Sequence, residues 1–104
     1  MWFTASLLFK SGRPAATDRE PLWEEQIILL EAGDELAAEQ KATQHGKAQE
    51  HEYRNQAGEF VQWSFERVER LCQVEASVLK DGTELFSRFL RDSEVKSLLT
   101  PFDG

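Results

Sequence analysis

Alternation of apolar and polar side chains marks the start of the chain. Apolar residues occupy every odd position from 3 to 9, namely Phe3, Ala5, Leu7 and Phe9. A period of two places these side chains on one face of a β-strand, so they predict a first strand with one buried face. Residues 11–21 contain Gly12, Pro14 and Pro21 without apolar periodicity, and they predict a mobile connecting loop.

Residues 22–31 predict a second strand, because they are rich in β-branched and aromatic side chains. Apolar residues stand at both even and odd positions from Ile27 to Leu30, which favours an inner position in a sheet. Residues 34–47 predict a helix that begins with acidic side chains, where the helix dipole favours negative charge. The narrow apolar face of this helix fits closely against a sheet and consists of Leu36, Ala38, Ala42 and His45.

Turn residues predict two hairpins in the second half of the chain. The cluster at residues 55–58 separates a short polar strand, residues 49–54, from a long alternating strand. On the long strand three apolar residues share one face and the next three have the opposite phase. A β-bulge near residues 66–67 is therefore expected between these two groups. The six residues are Val61, Trp63, Phe65, Val68, Cys72 and Val74.

The turn pair Asp81-Gly82 predicts the second hairpin, with residues 83–90 as a fifth strand. Asp92 is placed to cap a short helix that ends near Leu99. The complete pattern predicts one α+β domain over residues 1–104. It has an antiparallel sheet of about five strands in the order β-β-α-β-β-β, one helix packed on one face, and a short C-terminal helix in the tail, residues 92–104.

Composition and charge restrict the classes of function. The formal net charge is −7, and residues 18–39 hold eight acidic residues against only Arg19. Because phosphate contacts need a basic surface, we expect no nucleic-acid partner. The apolar start has no basic segment and is shorter than the roughly 20 apolar residues of a membrane span, so we expect no signal peptide and no membrane partner. The one cysteine, Cys72, excludes an intrachain disulfide and favours a cytoplasmic location.

Specific stretches stand out along the chain: residues 2–10, residues 21–25, Glu50-His51-Glu52-Tyr53, Gly58-Glu59, Trp63, residues 81–84 and Ser87-Arg88. Together they resemble a family of small bacterial proteins known as domain of unknown function 4288 (DUF4288). The resemblance extends to about Leu90. It implies the order of elements given above, and it implies no substrate, cofactor or catalytic residue.

Two polar motifs are candidate binding sites. In the first, alternation along a strand puts Glu50 and Glu52 on one face and His51 on the other, which suits either an exposed strand face or an acid–base site. In the second, Trp23 stands beside Glu24 and Glu25, a combination that suits recognition of a cationic group, although Trp23 packing in the core is the simpler interpretation.

Metal and thiol chemistry receive less support from the sequence. His45 and His51 are the only histidines, and their spacing is not that of two ligands on one helix face, so we expect no metal site and no cofactor. Cys72 lies in an alternating stretch that indicates a core cysteine rather than a nucleophile.

These observations predict a non-enzymatic binding or assembly module. One helix covers only one face of the predicted sheet, and the other face also carries apolar residues such as Trp2, Leu8 and Phe86, so we expect a homodimer. The alternative cover is the tail, which would place Val95 and Leu98 on that face. The acidic stretch is a candidate docking face for a basic protein such as a toxin. The alternative function is a small enzyme that uses Glu50, Glu52 and His51.

Overall fold

The computed structural model describes residues 1–12, 21–75 and 78–100. Within these ranges the chain forms four strands and two helices, which confirms the α+β class. The predicted loop at residues 11–21 falls mostly outside the described residues, and its first two residues continue the first strand. In chain order the elements are β1 (Trp2–Gly12), β2 (Trp23–Glu31), α1 (Glu35–Ala48), β3 (His51–Arg54), β4 (Phe60–Val74) and α2 (Asp92–Leu99).

All four strands belong to one antiparallel sheet, in the spatial order β2-β1-β4-β3. The predicted inner position of β2 is therefore wrong for the single chain, because β2 lies at the edge of the sheet. The pattern of apolar and polar positions shows which faces of a strand are apolar, but it does not show whether the strand has a neighbour on each side. The two inner strands are β1, which carries most of the buried apolar residues, and β4.

The hydrophobic core lies between the sheet and α1. Ala5, Leu7 and Phe9 of β1 pack with Ala42 of α1, surrounded by half-buried side chains that include Trp63 and Phe65. The predicted core positions Trp63 and Phe65 thus border the buried cluster. The half-buried side chains that complete this layer are Ile28, Leu30, Val68 and Leu71.

Small residues allow α1 to approach the sheet closely. Ala38, Ala42 and Gly46 recur at intervals of four residues and are buried. Leu36 and His45, which were expected on this face, are exposed instead. Asp34 caps the helix by accepting a hydrogen bond from the Ala37 N–H at 2.8 Å, which satisfies one of the free donors of the first turn.

Strand β4 contains two β-bulges against β1. Phe9 pairs with Phe65 and Leu8 pairs with Arg67, so Glu66 is the extra residue, as the sequence predicts. A second irregularity leaves Glu69 without a partner on β1, and it was not predicted. The first bulge returns Val68 to the α1 side of the sheet. After the second bulge, Cys72 and Val74 lie on the opposite side.

Residues 83–90, called the crossing segment below, do not form the predicted fifth strand. The turn at Asp81-Gly82 is present, with Gly82 at φ +86 and the Thr83 N–H bonded to the Lys80 carbonyl at 3.0 Å. However, although β3 pairs with β4 only from Phe60 to Trp63 and leaves the rest of that edge without a described strand, the returning chain does not pair there. It passes over a face of the sheet instead.

Helix α2 projects from the domain and packs on no other described helix or strand. The Glu94 carboxylate accepts the Arg91 N–H at 2.9 Å, while Asp92 lies within the first turn and pairs with Lys96 at 3.0 Å. The predicted cap at Asp92 is therefore displaced by one residue. The projection gives the chain a radius of gyration of 16.6 Å, against about 13 Å for a compact domain of this length.

Candidate binding surface

The two faces of the sheet differ in how they are covered. One face packs on α1, and the face on the other side is called the second face below. Because directly opposed residues of antiparallel strands point to the same face, the strand pairing assigns its members. From β1 and β2 these are Trp2, Thr4, Ser6, Leu8, Lys10, Trp23, Glu25, Ile27, Leu29 and Glu31. From β4 they include Gln62, Ser64, Arg67, Arg70, Cys72 and Val74.

The crossing segment covers the centre of the second face. The Thr4 hydroxyl donates to the Leu85 carbonyl at 2.6 Å, and the Arg70 guanidinium lies 6.0 Å from the centroid of the Phe86 ring. Thr4 is 2% exposed, although its strand face lacks a helix. Neither the predicted dimer nor the C-terminal tail is thus needed to bury this part of the second face.

Ser6 and Glu25 form the most buried polar contact on the second face. The Ser6 hydroxyl, which is fully buried, donates to the Glu25 carboxylate at 2.5 Å. This bond joins the centre of the sheet to its edge strand, and it satisfies a hydroxyl that would otherwise be buried without a partner. Glu25 is therefore a structural acceptor, whatever else it binds.

Trp23 contacts a cationic side chain of its own chain, Lys10. The Lys10 ammonium lies 5.5 Å from the centroid of the Trp23 ring, in the range of a cation–π contact. Trp23 is 48% exposed, so packing in the core is excluded. The motif Trp23-Glu24-Glu25 is also divided between the two faces, since Glu24 bonds to the Gln26 amide on the α1 side and Glu25 bonds to Ser6 on the second face.

Large apolar side chains remain uncovered beside these contacts. Ile27 is 55% exposed and Leu29 is 41% exposed, and both lie on β2 two positions apart on the same face as Trp23. The projecting C-terminal part adds a second group of exposed apolar residues, Phe89, Leu90, Val95, Leu98 and Leu99. Ile27 and Leu29 adjoin the free edge of the sheet.

The predicted cluster of Glu50, His51 and Glu52 does not converge on one site. The Glu50 carboxylate accepts the backbone N–H of Phe65 at 3.0 Å, in the place where β3 has not yet begun to pair with β4. His51 stacks on Tyr53 at 5.9 Å between ring centroids, and its Nδ1 contacts the Gln49 carbonyl at 3.0 Å. Glu52 points to the opposite face from His51. Glu50 thus acts as a capping acceptor for β4.

A cleft of about 260 Å³ lies between the crossing segment and β4. On the side of β4 the cleft is lined by Cys72, and on the side of the crossing segment by Thr83, Leu85 and Phe86. The half-buried thiol therefore lies beneath a covering segment rather than in the α1 core. Among residues 1–12, 21–75 and 78–100, no group of three or more His, Cys, Asp or Glu side chains is arranged to hold a metal ion.

A family model described as a domain of unknown function, DUF4288, matches residues 2–87. The chain belongs to the DUF4288 family. The matched part of the DUF4288 domain includes the whole sheet, α1 and the crossing segment as far as Ser87, and it excludes α2. No curated protein and no solved structure gives a significant match to the chain. No helix in the described part of the chain is long and apolar enough to cross a membrane.

Proposed function

We propose that this DUF4288 domain is a non-enzymatic binding and assembly module that forms a homodimer. The observation that supports it best is the row of exposed apolar side chains on the second face of β2, where Ile27 is 55% and Leu29 is 41% exposed. Burial of such side chains contributes roughly 25 cal/mol per Å² of apolar area removed from water. A second copy of the same chain is the simplest partner for this apolar surface, because twofold dimers are the commonest oligomers.

The acidic residues provide the second element of the proposal. Exposed carboxylates continue from β2 into the start of α1, at Glu31, Asp34, Glu35 and Glu39. A basic protein such as a toxin is the partner class that this charge attracts, because complementary charge steers association. The carboxylates of α1 lie outside the apolar surface of β2, so they remain in water in the homodimer and are available to that partner.

The alternative of a small enzyme receives less support. It relies on Glu50, His51 and Glu52, and two of these three side chains already have structural contacts within the chain. Their division between the two faces of β3 separates an acid from its base. Glu50 therefore serves to accept the Phe65 N–H of β4, and no reaction is proposed for the domain.

The test is light scattering on the full chain and on three variants. We expect a dimer for the unmodified chain and for a version that ends at Arg91, because α2 packs on none of the other described helices and strands. Leu29→Glu removes apolar contact area on the second face and should shift the protein toward monomer. Leu36→Glu is the matched control, since Leu36 is 66% exposed on α1 and away from this surface. A monomeric full chain contradicts the proposal.

A further inference from the structure

No strand within residues 1–12, 21–75 and 78–100 pairs with the outer edge of β2. Met1 and Ala32 exchange two backbone hydrogen bonds, of 3.0 and 2.9 Å, and the Ser11 N–H donates to the Leu22 carbonyl at 2.8 Å. Even-numbered residues next to and within β2 therefore bond to β1. Because bonding alternates along an antiparallel strand, the odd-numbered residues point their N–H and C=O groups away from the sheet. They are Trp23, Glu25, Ile27, Leu29 and Glu31.

The two edges of the sheet differ in their protection against pairing. Proteins shield edge strands by making them short, by bulges, by proline or by charged side chains, lysine above all. Strand β3 has four residues and is polar apart from Tyr53. Strand β2 has nine residues, keeps a regular register with β1, and contains no proline and no lysine. The edge of β4 that β3 leaves unpaired carries two bulges. Within the described residues, β2 is thus the long regular edge, with three glutamates as its charged side chains.

The sequence of β2 is that of an inner strand. Ile28 and Leu30 pack on the α1 side, while Ile27 and Leu29 carry equal apolar surface on the second face and remain exposed. Apolar side chains on both faces are typical of strands with a neighbour on each side. In the part of the single chain that the structure describes, β1 is its one neighbour.

We propose that β2 pairs antiparallel with β2 of a second copy, with Ile27 opposite Ile27 on the twofold axis, to give one continuous sheet. This inference rests on the proposed self-association and names its interface. The register centred on Ile27 pairs the strand over its full length, so that every outward backbone group finds a partner. It also keeps α1 of both copies on one side of the sheet, because a slip of one residue would reverse the faces.

Charge supports the same register. Each carboxylate on β2 then faces an uncharged residue of the other copy: Glu24 faces Leu30, Glu25 faces Leu29, and Glu31 faces Trp23. A register centred on Ile28 would place Glu25 opposite Glu31, and like charges directly opposed are destabilising. A register centred on Gln26 avoids that repulsion but leaves the outward groups of Glu31 beyond the paired strand.

Disulfide trapping tests the pairing directly. In an antiparallel pair that exchanges two hydrogen bonds, the Cα atoms lie about 5.5 Å apart, a separation that a disulfide spans. In a Cys72→Ser background, which removes the native thiol, Ile27→Cys should give a cross-linked dimer under mild oxidation. Gln26→Cys and Tyr53→Cys are matched controls, for a shifted register and for the opposite edge. Cross-linking through either control in preference to Ile27→Cys overturns the inference.

A proline substitution provides a second measurement. The Ile27 N–H points outward, so Ile27→Pro removes a donor to the second copy without removing a bond to β1. It should shift the mass from dimer to monomer, whereas Ile27→Thr, which keeps the N–H and the strand propensity, should retain more dimer. A dimer that persists with Ile27→Pro and shows no Ile27→Cys cross-link contradicts the edge pairing alone. A monomeric unmodified chain contradicts the proposed self-association as well.

Discussion

Substitution of Gly46 by alanine tests the closest approach between α1 and the sheet. A Cβ built on Gly46 would lie 2.8 Å from the Phe65 Cγ and closer still to Cδ1 and Cε1 of that ring. The same ring packs edge-to-face on Phe9, with the two centroids 5.7 Å apart. Moving the ring away from an added methyl group would disturb that contact.

Two opposing effects determine the magnitude for Gly46→Ala. Alanine gains about 0.5–1 kcal/mol over glycine within a helix. Forcing extra volume into a packed core costs about 1–3 kcal/mol, and the overlap with an immobile ring favours the upper part of that range. We expect a net loss of about 1–2 kcal/mol in the free energy of unfolding, equivalent to a Tm lower by roughly 4–16 °C for a domain of this length.

Urea denaturation followed by tryptophan fluorescence measures this loss. The matched control is Gly33→Ala, since a Cβ at Gly33 meets nothing within 4 Å and should leave stability unchanged or slightly higher. In a double-mutant cycle with Phe65→Ala, the cost of Gly46→Ala should largely disappear, because the ring that opposes the methyl group is gone. A Gly46→Ala variant as stable as the unmodified chain would refute the packing of α1 against Phe65.

Three further predictions concern the second face, the core margin and metal dependence. Thr4→Val should destabilise the domain by about 1–2 kcal/mol and speed hydrogen exchange near Leu85, because the Leu85 carbonyl loses its donor. Thr4→Ser keeps the hydroxyl and should have neither effect. Equal exchange rates in both variants would contradict the contact between Thr4 and Leu85. Truncation of a fully buried tryptophan to alanine typically lowers the free energy of unfolding by about 3–5 kcal/mol. Trp63→Ala should have a smaller effect, since Trp63 is half-buried. An unchanged urea midpoint would show that Trp63 does not pack on the core. Chelation with EDTA should leave Tm unchanged, and a fall that zinc reverses would reveal a structural metal.

Short-range sequence patterns were enough to predict β1, α1 and the first bulge of β4. The alternation from Phe3 to Phe9 predicted β1, and the acidic start and small residues predicted α1 almost to its bounds. The β-bulge at Glu66 was predictable because a change of phase within one strand needs an extra residue. The bulge at Glu69 had no such signal, since Leu71 keeps the apolar side of the strand filled after it.

Features that depend on which segments meet were not predictable. A turn at Asp81-Gly82 reverses the chain but does not determine whether the returning segment meets an edge or a face of the sheet, and the crossing segment lies on a face. The motif Trp23-Glu24-Glu25 looked like one site, yet alternation along β2 divides its two carboxylates between opposite faces. The roles of Glu25 and Glu50 as acceptors for Ser6 and Phe65 require the sheet register, which the sequence does not contain.

Sedimentation equilibrium of the unmodified full chain tests self-association most directly. The chain mass is 11.9 kDa, so the account predicts a mass that rises with concentration to twice that value and no further. The limit of two copies follows because β2 has only one free edge, and the pairing consumes it. A mass of 11.9 kDa at every concentration would contradict the account, and a mass that rises past two copies would show that another surface associates.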